Sequence, residues 1–343
     1  MDKTACGLLP AFEYNNIPVV LSVNNLFVPY AGVFIQSVLD HASAEKNYDI
    51  IILERDISVP NKQLLKQFEQ GCANISIRFY DPSHILENID ISRMETEHYP
   101  VEVYYKILAP YMFRNYPKLV VTDVDTLLKR DIAELYEIDL AGYCLGAILD
   151  VTREGQYRQN YTLLNKVALQ DYYKDTLTMK EPCRYINSGV LVIDVNKYCD
   201  YLDVQTIFDT AASKDFLLPD QDVLNLLFEG QIKFLDIAWN LQLVMNERTK
   251  IAIDLGSQEM QDAYRRACDF PALLHWNGKP KPWVCPDVLL GHEWWSVAVR
   301  TPFLGHITVR MMDALETRRQ YYKERYGAAV NVWDPEPKGV ARN

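Results

Sequence analysis

Residues 118–128 read KLVVTDVDTLL, and the fold turns on how that stretch is taken. Leu119, Val120 and Val121 form a short apolar run that suits a buried strand, and the run leads into Asp123-Val124-Asp125. A strand that ends in charge delivers its carboxylates to the rim of a sheet. In extended chain, residues two apart point the same way, so Asp123 and Asp125 are expected to face one space while Val124 turns back into the protein. Two anionic oxygen donors at a strand's carboxyl end suit a divalent cation, and a cation there suits a phosphate ligand. Turn formation or helix capping explains a lone D-x-D more simply, so the pair has to be judged by its company.

Upstream, IPVVLSV at 17–23 reads as a first buried strand, Asn24 and Asn25 as a turn, and 30–41 as a helix with Val33, Phe34, Val38 and Leu39 on one face. Strand, turn and helix open an α/β unit. A strand at 48–53, a helix over 61–70 capped by Ser58, a strand at 75–80, a polar loop carrying His98 and a helix over 103–113 lead to the D-x-D strand. Downstream, strands are expected at 143–149, ending in Asp150, at 185–194 (YINSGVLVID), at 232–237, and at 272–275, ending in His275. Gly189 in the second of these admits close backbone approach.

Pro219-Asp220-Gln221-Asp222 opens a helix that Gly230 stops, and both of its carboxylates are natural caps there. Residues 153–183, polar and aromatic, read as a lid or acceptor-side loop, and 246–268 as a polar connection followed by a helix. The alternation favours an α/β fold on a mostly parallel sheet with covered faces, its ligand site beyond the strands' carboxyl ends.

Composition narrows the partners. The chain has 343 residues, 49% hydrophobic and 24% charged, enough for one large core or two modest ones. A formal net charge of -11 argues against nucleic acid as the principal partner, because phosphate backbones are bound by basic surfaces. The 7 cysteines are scattered, odd in number and never in a C-x-x-C pair, which fits reduced thiols in a cytoplasmic protein. The apolar stretch at 7–11 is too short for a secretion signal or a membrane span.

Beyond Pro286 the character changes: Trp294, Trp295, Val299, Pro302 and Phe303 precede a helical stretch at 306–326 in which basic residues outnumber acidic ones. That stretch reads either as a solvated helix packed on the main domain or as a peripheral contact with the inner face of an anionic membrane. The expected division is a catalytic domain at 17–285, a C-terminal helical extension at 286–330 and a tail at 331–343.

Four motifs stand in order: D-V-D at 123–125, N-S-G at 187–189, P-D-Q-D at 219–222 and H-W-N-G-K-P-K-P-W at 275–283. In that order and at those intervals, from residue 17 to 283, the chain resembles glycosyltransferase family 8. These retaining, metal-dependent enzymes include bacterial lipopolysaccharide galactosyl- and glucosyltransferases and, more distantly, glycogenin. The resemblance implies a GT-A type nucleotide-diphospho-sugar transferase domain that moves a hexose, galactose or glucose, from UDP to a glycan or glycolipid acceptor.

It implies roles for named residues as well. Asp123, Asp125 and His275 would hold a cation, with Asp123 also near the ribose or sugar. An imidazole among carboxylates suits Mn²⁺ better than Mg²⁺, the alternative. Lys281 would touch the diphosphate, Gly278 would bring backbone amides to it, and His98 matches a phosphate contact. Lys279 reads as exposed loop. On the sugar side, Asp220 would meet the donor's hydroxyls and Gln221 would lie by the anomeric carbon, with Asn187 and Asp150 nearby. Asp150 reads equally well as a turn residue ending its strand.

Asn24 and Phe27 stand where the family carries an acidic residue and a tyrosine for ribose and base, and Lys106 stands where it carries an arginine. A neutral glutamine is a poor nucleophile, which favours front-face substitution over a covalent intermediate. Two other readings fit the scaffold: a non-catalytic sugar-nucleotide or glycan-binding protein, and a glycogenin-like primer that glucosylates one of its own 22 tyrosines.

Overall fold

The structure is a computed structural model describing residues 8–86, 101–163, 166–244 and 246–326, so His98 lies outside the described residues. Ten strands are described: β1 (Asn16–Ser22), β2 (Asn47–Leu53), β3 (Ile75–Tyr80), β4 (Lys118–Thr122), β5 (Thr126–Leu128), β6 (Leu145–Leu149), β7 (Ile186–Asp194), β8 (Ile232–Phe234), β9 (Leu241–Gln242) and β10 (Leu273–His275). Seven form one sheet in the order β3-β2-β1-β4-β7-β6-β8, and the rest form a small sheet in the order β5-β10-β9.

The central strands are apolar along both faces because both faces are covered. Val19, Leu21, Ile50, Ile52, Val120 and Val192 feed one core, while Val20, Ile51, Leu53, Val121, Leu191 and Ile193 feed the other. Pairing is parallel among β1 to β4 and between β6 and β8, as the alternating pattern suggests. The departure is β7, which runs antiparallel to both β4 and β6. Its first residues therefore lie beside the last residues of its two neighbours, with Thr122 opposite Val190 and Ile148 opposite Asn187.

Two stretches differ from expectation. Within 153–183 the chain forms the helix Val151–Arg158, whose first turn is capped by Asp150, and further short helical turns. Tyr173 is buried there, stacked between Tyr157 and Tyr185 at centroid distances of 5.6 and 4.8 Å, so an aromatic run that reads as loop is packed core. Residues 246–268 hold two helices, Glu247–Asp254 and Gln258–Asp269, each with its own side-chain cap from Asn246 and Ser257.

The C-terminal segment packs on the first helix, Val28–His41. Trp294, Phe303 and Ile307 are fully buried in the same core as β1. Phe303 occupies the space where Gly32 has no side chain; a Cβ there would come within 2.4 Å of the ring. Asp40 takes a bidentate bond from Arg300 at 2.5 and 2.6 Å. On the helix Leu304–Tyr326, Arg310 faces the domain, donating to the Leu26 carbonyl and lying over the Tyr30 ring. Among the described residues no helix is long and apolar enough to cross a membrane.

If residues 291–307 belong to the core, Phe303→Ala should cost about 3–5 kcal/mol of stability. Denaturant unfolding would show this as a lower midpoint at unchanged slope; a loss under about 1 kcal/mol would mark the segment as merely appended.

Candidate active site

The D-V-D segment is a turn between β4 and β5, not extended chain. Thr126 closes it, its Oγ1 donating to the Asp123 carbonyl at 2.7 Å, and the Asp123 amide donates to the Gly189 carbonyl at 2.9 Å. The two carboxylates still converge, as alternation in a strand would have had them do, and Val124 still turns inward.

His275 arrives from the small sheet. β10 runs antiparallel to β5 with His275 opposite Thr126, and the Trp276 amide donates to the Asp125 carbonyl at 3.1 Å. Ligand atoms of Asp123, Asp125 and His275 consequently lie within 4.8 Å of one another. His275 Nε2 is 3.3 Å from Asp125 Oδ1, and its Nδ1 meets Asn240 Oδ1 at 2.7 Å. Two carboxylates and an imidazole nitrogen at one point form a donor set that suits a divalent transition metal.

The reversal of β7 brings N-S-G to the same rim. Asn187 Oδ1 accepts from the Gly189 amide at 2.9 Å and from Asn240 Nδ2 at 2.8 Å. Gln221, in the helix Pro219–Leu227, donates to Asp150 Oδ2 at 3.1 Å, and its Oε1 accepts from the Ser188 amide at 3.0 Å. Asp150 does both jobs the sequence allows: it caps the helix Val151–Arg158 through the Arg153 amide and turns its other oxygen to Gln221. Asp222 is held by Tyr172, Tyr185 and the Leu218 amide, a structural role at the helix start. Asp220 makes no cap; its carboxylate pairs with Lys106 at 2.7 Å.

Lys106 also reaches Asp123 at 2.9 Å and Ser188 Oγ at 3.3 Å. Burial works against its charge, yet Asp123 and Asp220 outweigh burial and raise its pKa. Burial pushes Asp123 up, Lys106 counters, and the neighbouring Asp125 adds to the rise. Burial acts likewise on Asp125, but Lys281 and His275 prevail and hold its carboxyl well below the usual carboxylate range. Lys281 pairs with Asp125 and donates to the Trp276 carbonyl at 2.6 Å.

Asn24 and Phe27 sit apart from this cluster, in the loop after β1. Asn24 Oδ1 accepts from the Leu26 and Phe27 amides at 3.0 and 3.2 Å, leaving Phe27 half-exposed at the loop's tip. Gly278 adopts φ +106°, a conformation that glycine holds without strain. The loop it belongs to is tied back by Trp283, which stacks on Tyr30 at 4.0 Å. Ser188 joins the cluster from within the N-S-G motif, while Asn240 carries no motif of its own; it is one of two amides, with Gln242, in the otherwise apolar run 237–244, 35 residues before His275.

Residues 18–285 match the model of glycosyl transferase family 8. General stress protein A of Bacillus subtilis (strain 168) is 24% identical over 274 residues, covering 77% of this chain and 86% of that protein. The bifunctional glycosyltransferase WbbM, in its apo structure, superposes with a TM-score of 0.80 at 27% identity, over 89% of this chain and 53% of WbbM. The chain thus spans about half the length of WbbM. The galactosyltransferase LgtC, solved with donor and acceptor sugar analogues, superposes with a TM-score of 0.61 at 19% identity, over 83% of this chain and 96% of LgtC. The α/β domain with its mostly parallel sheet is accordingly of the GT-A type.

Lys106→Met would strand two carboxylates. It should cost about 2–3 kcal/mol, allowing for solvent screening of the more exposed Asp123. Lys106→Met combined with Asp220→Asn should lose less than the two single changes summed, as urea unfolding of all four proteins would show. Simple additivity would mean that the pair is not coupled.

Proposed function

The chain belongs to glycosyl transferase family 8, and from that premise we propose that it is a retaining, UDP-sugar-dependent hexosyltransferase requiring a divalent cation, Mn²⁺ before Mg²⁺. The observation that carries the reading is the convergence of Asp123, Asp125 and His275 within 4.8 Å, on the rim where Asn187, Asp220 and Gln221 also lie. A cation held by those three residues would neutralise charge developing on the diphosphate leaving group.

The other residues have work that follows from their positions. Lys281, on the loop that Gly278 bends, supplies a positive charge for the phosphates, and Asn24 and Phe27 offer an amide and a ring face to ribose and base. Lys106 holds Asp123 and Asp220 together, so the carboxylate meant for sugar hydroxyls is fixed beside the cation site. Lysine there is a point charge without arginine's fork.

Gln221 supports the front-face course. Its Oε1 already accepts from the Ser188 amide, and its Nε2 donates to Asp150, so the amide is oriented and its oxygen is engaged. In that course the bond from the anomeric carbon to the phosphate oxygen breaks as a bond to the acceptor hydroxyl oxygen forms on the same face. The acceptor's proton passes to the departing phosphate. The transferred hexose proposed is galactose or glucose. The acceptor proposed is a surface glycan or glycolipid met at the inner face of the membrane, and a cytoplasmic setting agrees with the thiols of Cys72, Cys144, Cys183, Cys199 and Cys268.

A panel of UDP-sugars with Mn²⁺, read as UDP released by slow donor hydrolysis, tests the proposal without an acceptor; release from one UDP-hexose is expected, and none from any donor would favour a binding protein. Asp125→Ala should lose about 4 kcal/mol of leaving-group stabilisation, slowing that release on the order of a thousandfold; near-native rates would remove the metal assignment. Gln221→Ala should keep measurable activity, whereas complete loss in a folded protein would restore the covalent course.

A further inference from the structure

A chain of buried hydrogen bonds runs from His275 to Gln221, and a backbone amide identifies its atoms. The Gly189 N–H can only donate, so the Asn187 atom that it meets at 2.9 Å is the side-chain oxygen. The Asn240 atom facing that oxygen at 2.8 Å must then be Nδ2, which leaves Asn240 Oδ1 toward His275 Nδ1 at 2.7 Å. An amide oxygen accepts, so Nδ1 carries a proton, and Nε2 is the nitrogen left to offer a lone pair to a cation.

Nε2 in turn faces Asp125 Oδ1 at 3.3 Å. Two acceptors so close need positive charge between them, a proton or a cation. The ring has little freedom to do otherwise. It lies against β7 where a Cβ on Gly189 would be 2.4 Å from Cε1 and 2.9 Å from Nδ1, and both His275 and Asn240 are buried. Glycine sets where the imidazole lies, and Asn240 sets which nitrogen it presents.

We propose that Asn240 is a positioning residue of the cation site: its carbonyl oxygen keeps a proton on Nδ1 of His275, so that Nε2 is the nitrogen aimed at a cation beside Asp123 and Asp125. This rests on the reading of those three residues as metal ligands and goes beyond it, since Asn240 itself touches neither cation nor substrate. The same amide continues through Asn187 to Asp150 at 3.4 Å and from there to Gln221. Cation side and sugar side thus share one hydrogen-bonded frame.

Titration of the metal-free, full-length chain with Mn²⁺, followed by the paramagnetic resonance of the free ion, tests this without turnover. Asn240→Leu, similar in size and without an acceptor, should weaken Mn²⁺ binding about 10–100-fold. Asn240→Asp, which still accepts from Nδ1–H, should recover most of that loss. Native affinity in a folded Asn240→Leu protein overturns the inference, and so does equal loss in both variants, which would mark Asn240 as packing alone. Failure of the native chain to bind Mn²⁺ would overturn the metal reading and this inference together. Because a buried leucine here risks the fold, a measurement without that variant stands beside it. The ¹⁵N spectrum of histidine-labelled native protein, with His275 assigned through His275→Gln, should show a proton on Nδ1; a ring bare at Nδ1 overturns the inference.

Discussion

Crowding four carboxylates, Asp123, Asp125, Asp150 and Asp220, at one rim of a sheet costs electrostatic free energy, and much of the domain is arranged to offset it. Lys106 comes from the helix Tyr105–Met112 to sit between two of them, and Lys281 comes from the loop after β10 to meet a third. Asp150 is met by the Arg153 amide and by Gln221. Buried charge persists only with such partners. Remove the fold and these acids would separate; keep it, and their shared field is ready for a cation.

The device that gathers them is the direction of one strand. An all-parallel sheet would send the start of β7 to the far edge, away from the ends of β4 and β6. Antiparallel β7 instead places Asn187, Ser188 and Gly189 against Asp123 and Asp150. The small sheet β5-β10-β9 adds His275 and Asn240 from the other side. The site is a junction of two sheets, which is why its residues come from segments so far apart in sequence.

Much of this was legible in the chain. Runs such as IPVVLSV and YINSGVLVID are dense in β-branched residues because their strands are covered on both faces, and burial of that kind leaves a plain mark. Four weak motifs in order pointed to the residues that meet at the rim. Strand direction left no such mark, since a hydrophobic run reads the same either way. The conformation of D-V-D leaves no mark either: a turn closed by Thr126 converges two side chains as an extended strand would. The sequence could not say which of Asp220 and Asp222 would be held by neighbouring side chains and which would face the site, because both sit in the first turn of the helix. Nothing distinguished Asn240, whose part depends on an orientation that only three-dimensional proximity reveals.

The stack of Tyr30 on Trp283 has a mechanical meaning. One ring belongs to the first helix and the other to the loop that carries Lys281, and Trp294 packs at a tilt against both. With Arg310 over Tyr30 and bonded to the Leu26 carbonyl, the loop after β1, the loop after β10 and the C-terminal helix are clamped into one stiff jaw. A jaw of that kind resists bending, so the loop that carries Lys281 is held in fixed relation to the first helix.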